Sequence, residues 1–161
     1  MDKNAPYLFD TSILLALVRG GPLGQYVNHT FSLAEALNKP IISIVSHGEL
    51  WAMADRREWG EAKRETLRGM LNDLPTIDLN DPAIIQGYVA VHRKNLSHPK
   101  GARNISANDL WIAATARAAE AILLTTDKDF LHLHPDVCFV QYVDPGSTLP
   151  KAEAASQPPL Q

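Results

Sequence analysis

The sequence has a single cysteine, Cys138, among 161 residues. That excludes an intramolecular disulfide and a zinc cluster built on several thiolates. Cys138 lies in the apolar run Val137-Cys138-Phe139-Val140, which reads as a small buried residue rather than a reactive thiol. Long apolar runs are lacking too; none approaches the ~20 residues of a membrane span. Asp2 and Asp10 interrupt the first residues, so a secretory leader is not expected and a cytoplasmic protein is. Positive charge is in short supply: 15 Lys plus Arg stand against 18 Asp plus Glu, a net charge of −3. This excludes a domain that holds nucleic acid by bulk charge. Any chemistry on nucleic acid must then handle the phosphates locally.

What is present is ordinary globular composition, 45 % hydrophobic and 20 % charged, in a length that suits one domain with a real core. Tyr7-Leu8-Phe9 reads as a strand ending at Asp10, followed by a short helix from Ser12 that Gly20-Gly21-Pro22 stops. Residues 23–37 fit one or two helices. The β-branched run Ile41 to Val45 reads as a buried strand, with a helix starting at Ser46. An amphipathic helix is expected over 59–74, a short strand over 76–79, and a helix from Asp81-Pro82 to about Lys94. A polar loop over 95–105 leads to a helix capped by Ser106. Strands follow at 122–125 and 137–142. Short buried strands alternating with helices imply an α/β domain, with a mainly parallel sheet and helices on both faces. The expected domain is 1–144. The Pro-, Ser- and Ala-rich stretch 145–161 is expected to be a disordered tail.

In such a sheet the ligand crevice lies at the carboxyl ends of the strands. Asp10 and Asp127 sit there, with Asp129 two residues on, and Glu49 stands in the first turn of the helix after the strand 41–45. Asp109 opens the helix that leads into the strand 122–125. Spacing alone allows that helix to bring Asp109 to the crevice or to carry it away. Each acid also has a structural reading. Ser46-His47-Gly48-Glu49 and Ser106-Ala107-Asn108-Asp109 match capping boxes, and Asp127 and Asp129 suit a turn. Asp10 and Asp127 end apolar strands, where capping is least compulsory. Four carboxylates converging on one crevice repel unless a cation sits among them. An all-oxygen set suits Mg²⁺ or Mn²⁺, and such ions support phosphodiester hydrolysis.

Four blocks occur in order: Tyr7-Leu8-Phe9-Asp10-Thr11-Ser12, Ile44-Val45-Ser46-His47-Gly48-Glu49-Leu50, Asn108-Asp109-Leu110-Trp111-Ile112-Ala113-Ala114-Thr115-Ala116, and Leu123-Leu124-Thr125-Thr126-Asp127-Lys128-Asp129-Phe130. With them the chain resembles the PIN-domain family, and within it the VapC-type toxins of toxin–antitoxin pairs. The resemblance implies a three-layer α/β/α fold and a Mg²⁺- or Mn²⁺-dependent ribonuclease. It implies a site of Asp10, Glu49, Asp109 and Asp127, with the helix at Asp109 pointing into the crevice. Asp129, Thr11, Ser12 and Thr125 are auxiliary candidates. It also implies a homodimer and a separate antitoxin chain, although PIN domains serve in RNA processing without one.

Arg93, Lys94, Lys100 and Arg103, in an acid-free stretch just before Asp109, are candidates for RNA phosphates; the alternative is a solvated helix end. Arg56 and Arg57 are a second such pair. Trp51, Trp59 and Trp111 fit packing better than base stacking, and His47, His132 and His134 lack metal-ligand spacing. A haloacid-dehalogenase-type phosphatase would need a second Asp where Ser12 stands. A non-catalytic RNA- or protein-binding module would not need the complete acid set.

Overall fold

The computed structural model describes residues 5–31, 39–99 and 105–150. In chain order these form strand β1 (Tyr7–Phe9), helices α1 (Thr11–Arg19) and α2 (Pro22–Thr30), strand β2 (Ile42–Ser43), helices α3 (Ile44–Arg56) and α4 (Glu61–Asp73), and strand β3 (Thr76–Ile77). Helices α5 (Pro82–Leu96) and α6 (Ala107–Ala118), strand β4 (Ile122–Thr125), a 3-10 turn (Lys128–Leu133) and strand β5 (Phe139–Tyr142) follow.

All strand pairs are parallel. β4 lies between β1 and β5, and β2 pairs with β3. A bridge between Leu8 and Ile41 joins the two parts, so the order across the molecule is β3-β2-β1-β4-β5. Successive strand residues face opposite sides, and the core divides accordingly. Phe9 and Leu124 pack with Ile13, Leu14, Leu50 and Leu67 on one face. Leu8, Leu123 and Val140 pack with Val91, Ile112, Ala113 and Phe130 on the other. The expected three-layer arrangement with a parallel sheet is the one found.

Several boundaries differ from expectation. The run Ile41 to Val45 is strand only at Ile42–Ser43, and α3 begins at Ile44 rather than Ser46. Ser43 is its cap, accepting the amide of Val45 at 3.3 Å, so capping overrides the β preference of Ile44 and Val45. The Ser46–Glu49 capping box is therefore not formed, and Ser46 is buried inside the helix. α5 runs on to Leu96 and buries Asn95, which shortens the expected polar loop. The last strand starts at Phe139, not Val137.

The expected tail splits. Residues 145–150 are placed: Asp144 Oδ1 accepts the Gly146 amide at 2.7 Å, and Leu149 is buried. Residues 151–161 lie outside the described ones. Cys138 is buried and its thiol is pushed up to about 12, chiefly by burial, as a packed cysteine should be. Trp111 packs against Tyr88 with ring centroids 4.2 Å apart and the planes tilted by 34°, and Trp59 is buried. The histidines have local partners: His47 Nε2 lies 2.9 Å from Thr76 Oγ1, His132 Nδ1 lies 2.6 Å from the Asp129 carbonyl, and His134 Nδ1 accepts the Val140 amide at 3.1 Å.

Candidate active site

Asp10 is the anchor. It follows β1, and its amide donates to the Leu124 carbonyl of β4, which fixes it at the carboxyl edge of the sheet. Its side chain is only 4 % exposed. Oδ1 accepts the Thr11 amide at 2.7 Å and so caps α1. Oδ2 accepts the hydroxyls of Ser12 at 2.6 Å and Thr125 at 2.7 Å. Even with these donors, burial raises the carboxyl from 3.8 to about 6, and the Asp109 charge adds to the rise.

The other three acids are held on different elements. Glu49, in the second turn of α3, has Oε2 2.5 Å from Thr11 Oγ1 and Oε1 2.9 Å from Asn108 Nδ2. Thr11 Oγ1 also lies 3.0 Å from Ser46 Oγ; its one proton goes to the carboxylate. Asp109, at the third position of α6, completes a capping box with Ser106, whose amide and hydroxyl donate to Oδ2 at 3.0 and 2.7 Å. The orientation left open by spacing is thus settled: the amino-terminal end of α6 meets α3 at the strand edge. Asp127 caps the 3-10 turn by accepting the Asp129 amide at 2.8 Å, and its own amide donates to Thr125 Oγ1 at 3.0 Å. Asp10 and Asp127 therefore do cap their elements, although strand ends are where capping is least compulsory.

Burial raises Asp109 above the ordinary carboxylate range, helped by the charges of Glu49 and Asp127. These effects put Asp10, Glu49 and Asp127 each within electrostatic reach of Asp109. Among the described residues none of the four is in an ion pair. Among those residues, too, no three His, Cys, Asp or Glu side chains are close enough to grip one ion as they stand. The fit to a divalent cation is therefore one of charge and hard-oxygen chemistry.

The auxiliary residues separate by role. Thr125 joins Asp10 to the backbone of Asp127, and Ser12 joins Asp10 to the Thr126 amide, which its Oγ accepts at 3.1 Å. Asp129 contributes its backbone amide and carbonyl. Asn108 and Ser46 are participants that sequence reasoning missed. Asn108 is marked in the sequence by its place inside a motif block, and Ser46 by that and by the capping-box pattern that ends in Glu49.

The basic stretch divides. Arg93 lines a groove of about 970 Å³ between α5, the end of α6 and β5, whose walls include none of the four acids. Lys94 is paired with Asp136 at 2.5 Å and holds that carboxyl below its usual range. Lys100 and Arg103 lie outside the described residues. Arg56, by contrast, lines a groove that includes Glu49.

The PIN-domain family model matches residues 7–134, a span that holds all four acids. The chain is a PIN-domain protein. That family assignment leaves no place for the haloacid-dehalogenase reading. No curated protein matches the chain. Among solved structures, a chain of the VapBC2 complex from Rickettsia felis, bound to a DNA fragment from the complex's promoter, superposes with TM-score 0.68 at 24 % identity. The match covers 84 % of this chain and 97 % of that one. VapBC-1 from nontypeable Haemophilus influenzae gives TM-score 0.68 at 22 % identity, covering 84 % and 96 %. VapBC-5 from Mycobacterium tuberculosis, of the VapBC family of toxin–antitoxin systems, gives 0.56 at 24 %, covering 86 % and 98 %. At these identities the likeness is one of fold, and it spans almost the whole of each neighbour.

Proposed function

We propose that this PIN-domain protein is a Mg²⁺- or Mn²⁺-dependent endoribonuclease and the toxin of a VapBC-type toxin–antitoxin pair. One observation supports the nuclease reading: Asp109 has Asp10, Glu49 and Asp127 within electrostatic reach at the sheet edge, Asp10 and Asp109 are held above the usual carboxylate range, and among the described residues none of the four is paired with a cation. A divalent cation would relieve that repulsion, with these four residues as its holders. When bound, it supplies Lewis acidity toward a phosphodiester oxygen and a water of lowered pKa.

The chain's own residues supply position. Asp10 is locked by the Ser12 and Thr125 hydroxyls, Glu49 by Thr11 and Asn108, and Asp109 by Ser106. These contacts keep the three carboxylates oriented without reorganisation during reaction. In-line attack by water that breaks the bond from phosphorus to the 3′ oxygen leaves a 5′ phosphate and a 3′ hydroxyl. The decisive assay follows a labelled RNA with the purified chain, with and without EDTA. Metal-dependent internal cleavage is the expected result, and a bound but uncut RNA in Mg²⁺ and in Mn²⁺ would instead mark a non-catalytic module.

The toxin reading is supported by the VapBC neighbours. Its test is growth arrest on induction, relieved by a co-expressed partner from the adjoining reading frame; cleavage without arrest would favour RNA processing. A homodimer belongs to the same proposal. Ile85, Val89 and Leu96, each more than 40 % exposed on α5, are apolar area that a second copy would cover. A cytoplasmic location is also part of it; among the described residues no helix is long and apolar enough to cross a membrane.

A further inference from the structure

One groove opens directly from the acid cluster. It holds about 600 Å³ and is lined by Thr11, Ile44, Glu49, Met53, Arg56 and Asn108, among others. Three of these already belong to the cluster, because Thr11 and Asn108 both hydrogen-bond Glu49. The remainder has two characters. Ile44, 40 % exposed, and the half-buried Val45, Met53 and Leu79 form an apolar wall. Arg56 stands at the end of it, exposed.

The spacing explains this placement. Ala52, Met53 and Arg56 follow Glu49 at three, four and seven positions, which is one side of a helix. Seven residues of rise set Arg56 roughly 10 Å along α3 from Glu49. Among the described residues the Arg56 side chain has no ion pair and no hydrogen bond. An unpaired guanidinium at the far end of an apolar wall, with the carboxylate cluster proposed above to hold a cation at the near end, matches the alternation of charge and flat apolar surface in a single-stranded nucleic acid.

We propose that this groove is the binding subsite for the nucleotide flanking the scissile bond of a single-stranded RNA. Its base lies against Ile44, Val45, Met53 and Leu79, and Arg56 holds its phosphate. The inference rests on the ribonuclease reading above and adds to it where the substrate strand runs. The thioether of Met53 suits contact with any aromatic ring, so the subsite gives affinity and register rather than recognition of one base. It also supplies the local positive charge that a chain of net charge −3 needs at its site.

The test uses the full chain and a fluorescein-labelled single-stranded RNA containing a site that the wild type cuts. Arg56→Gln is expected to raise KM by about 10-fold with kcat nearly unchanged, the loss of a partly exposed charge-assisted contact. The slope of log affinity against log salt should fall by about 0.7, one phosphate contact on a single strand. An RNA made abasic beside the scissile bond should bind the wild type more weakly. That penalty should shrink in Ile44→Ser, whose folding is checked by its melting curve. Equal KM and equal salt slope in Arg56→Gln would overturn the subsite and leave the groove to a protein partner. A fall in kcat alone would overturn it too, by placing Arg56 in the chemistry. If the wild type cuts no RNA, the ribonuclease reading itself has failed, and that result differs from both.

Discussion

Thr125 and Asp10 lie 115 positions apart in sequence, and the Thr125 hydroxyl donates to Asp10 Oδ2 at 2.7 Å inside the protein. With Ser12 it gives the buried carboxyl two hydroxyl donors, yet burial still wins and raises Asp10 to about 6. The folded state thus holds a proton that the unfolded chain, at 3.8, has already lost. Stability linked to Asp10 is present at low pH and is lost as pH rises from about 4 through about 6. The whole change is about 3 kcal/mol. Asp10→Asn removes the ionisation and should melt several degrees higher than wild type above about pH 7 in EDTA, at ~2–4 °C per kcal/mol. The gap should close toward about pH 4. Thermal melts of both proteins across that range check the sign.

Divalent metal should reverse that ranking. On the proposed reading, an ion held by the four carboxylates would bind only the folded chain and stabilise it by mass action. Mg²⁺ should raise the wild-type melting temperature and barely move that of Asp10→Asn or Asp109→Asn. Both variants should lose RNA cleavage by at least about 100-fold. Asp109→Asn keeps an oxygen to accept the Ser106 amide, so it should stay folded. Full cleavage by either variant, measured on a gel beside an EDTA control, would refute the acidic site.

These outcomes rest on residues that local pattern already exposed. The apolar runs ending in Asp10 and just before Asp127 marked the strand edge, and the four ordered motif blocks located Glu49 and Asp109. The partners of those acids were less legible. Asn108 matters because α6 meets α3 at Glu49, and Ser46 because α3 meets α1 at Thr11; nothing in their own neighbourhood of sequence encodes either meeting. The start of α3 departs from the pattern for a related reason, since the choice between strand and helix at Ile44 falls to the Ser43 cap. Arg93 and Lys94 looked adjacent to the site only along the chain; α5 directs Arg93 to another groove and Lys94 to Asp136.

The contact between Thr11 and Glu49 predicts a graded loss of activity. Thr11→Val keeps the shape but removes the donor 2.5 Å from Oε2. Glu49 then retains only Asn108 and should swing more freely. Cleavage should drop about 10- to 100-fold, the range seen when a ligand's supporting partner is removed. Thr11→Ser restores the hydroxyl and should recover most of the rate. Equal activity of the valine and serine variants, compared at saturating RNA, would show that the hydroxyl does not orient Glu49.

Two glycines on helices should respond to alanine in opposite directions. In α5, a Cβ on Gly87 would sit 2.9 Å from the Ala114 carbonyl oxygen, so the glycine allows α5 and α6 to pack backbone to backbone. Gly87→Ala must push the helices apart and should destabilise by about 1–3 kcal/mol. In α4, a Cβ on Gly69 meets nothing within 4 Å. Gly69→Ala gains helix propensity and limits the unfolded chain, and should stabilise by about 0.5–1 kcal/mol. Urea unfolding of both variants measures the difference. Because α6 carries Asn108 and Asp109 at its start, Gly87→Ala should also lower cleavage to the fraction that remains folded, whereas Gly69→Ala should leave it unchanged. Opposite signs are the signature of a close helix crossing beneath the site; a shared sign would mean that α5 and α6 have room to spare.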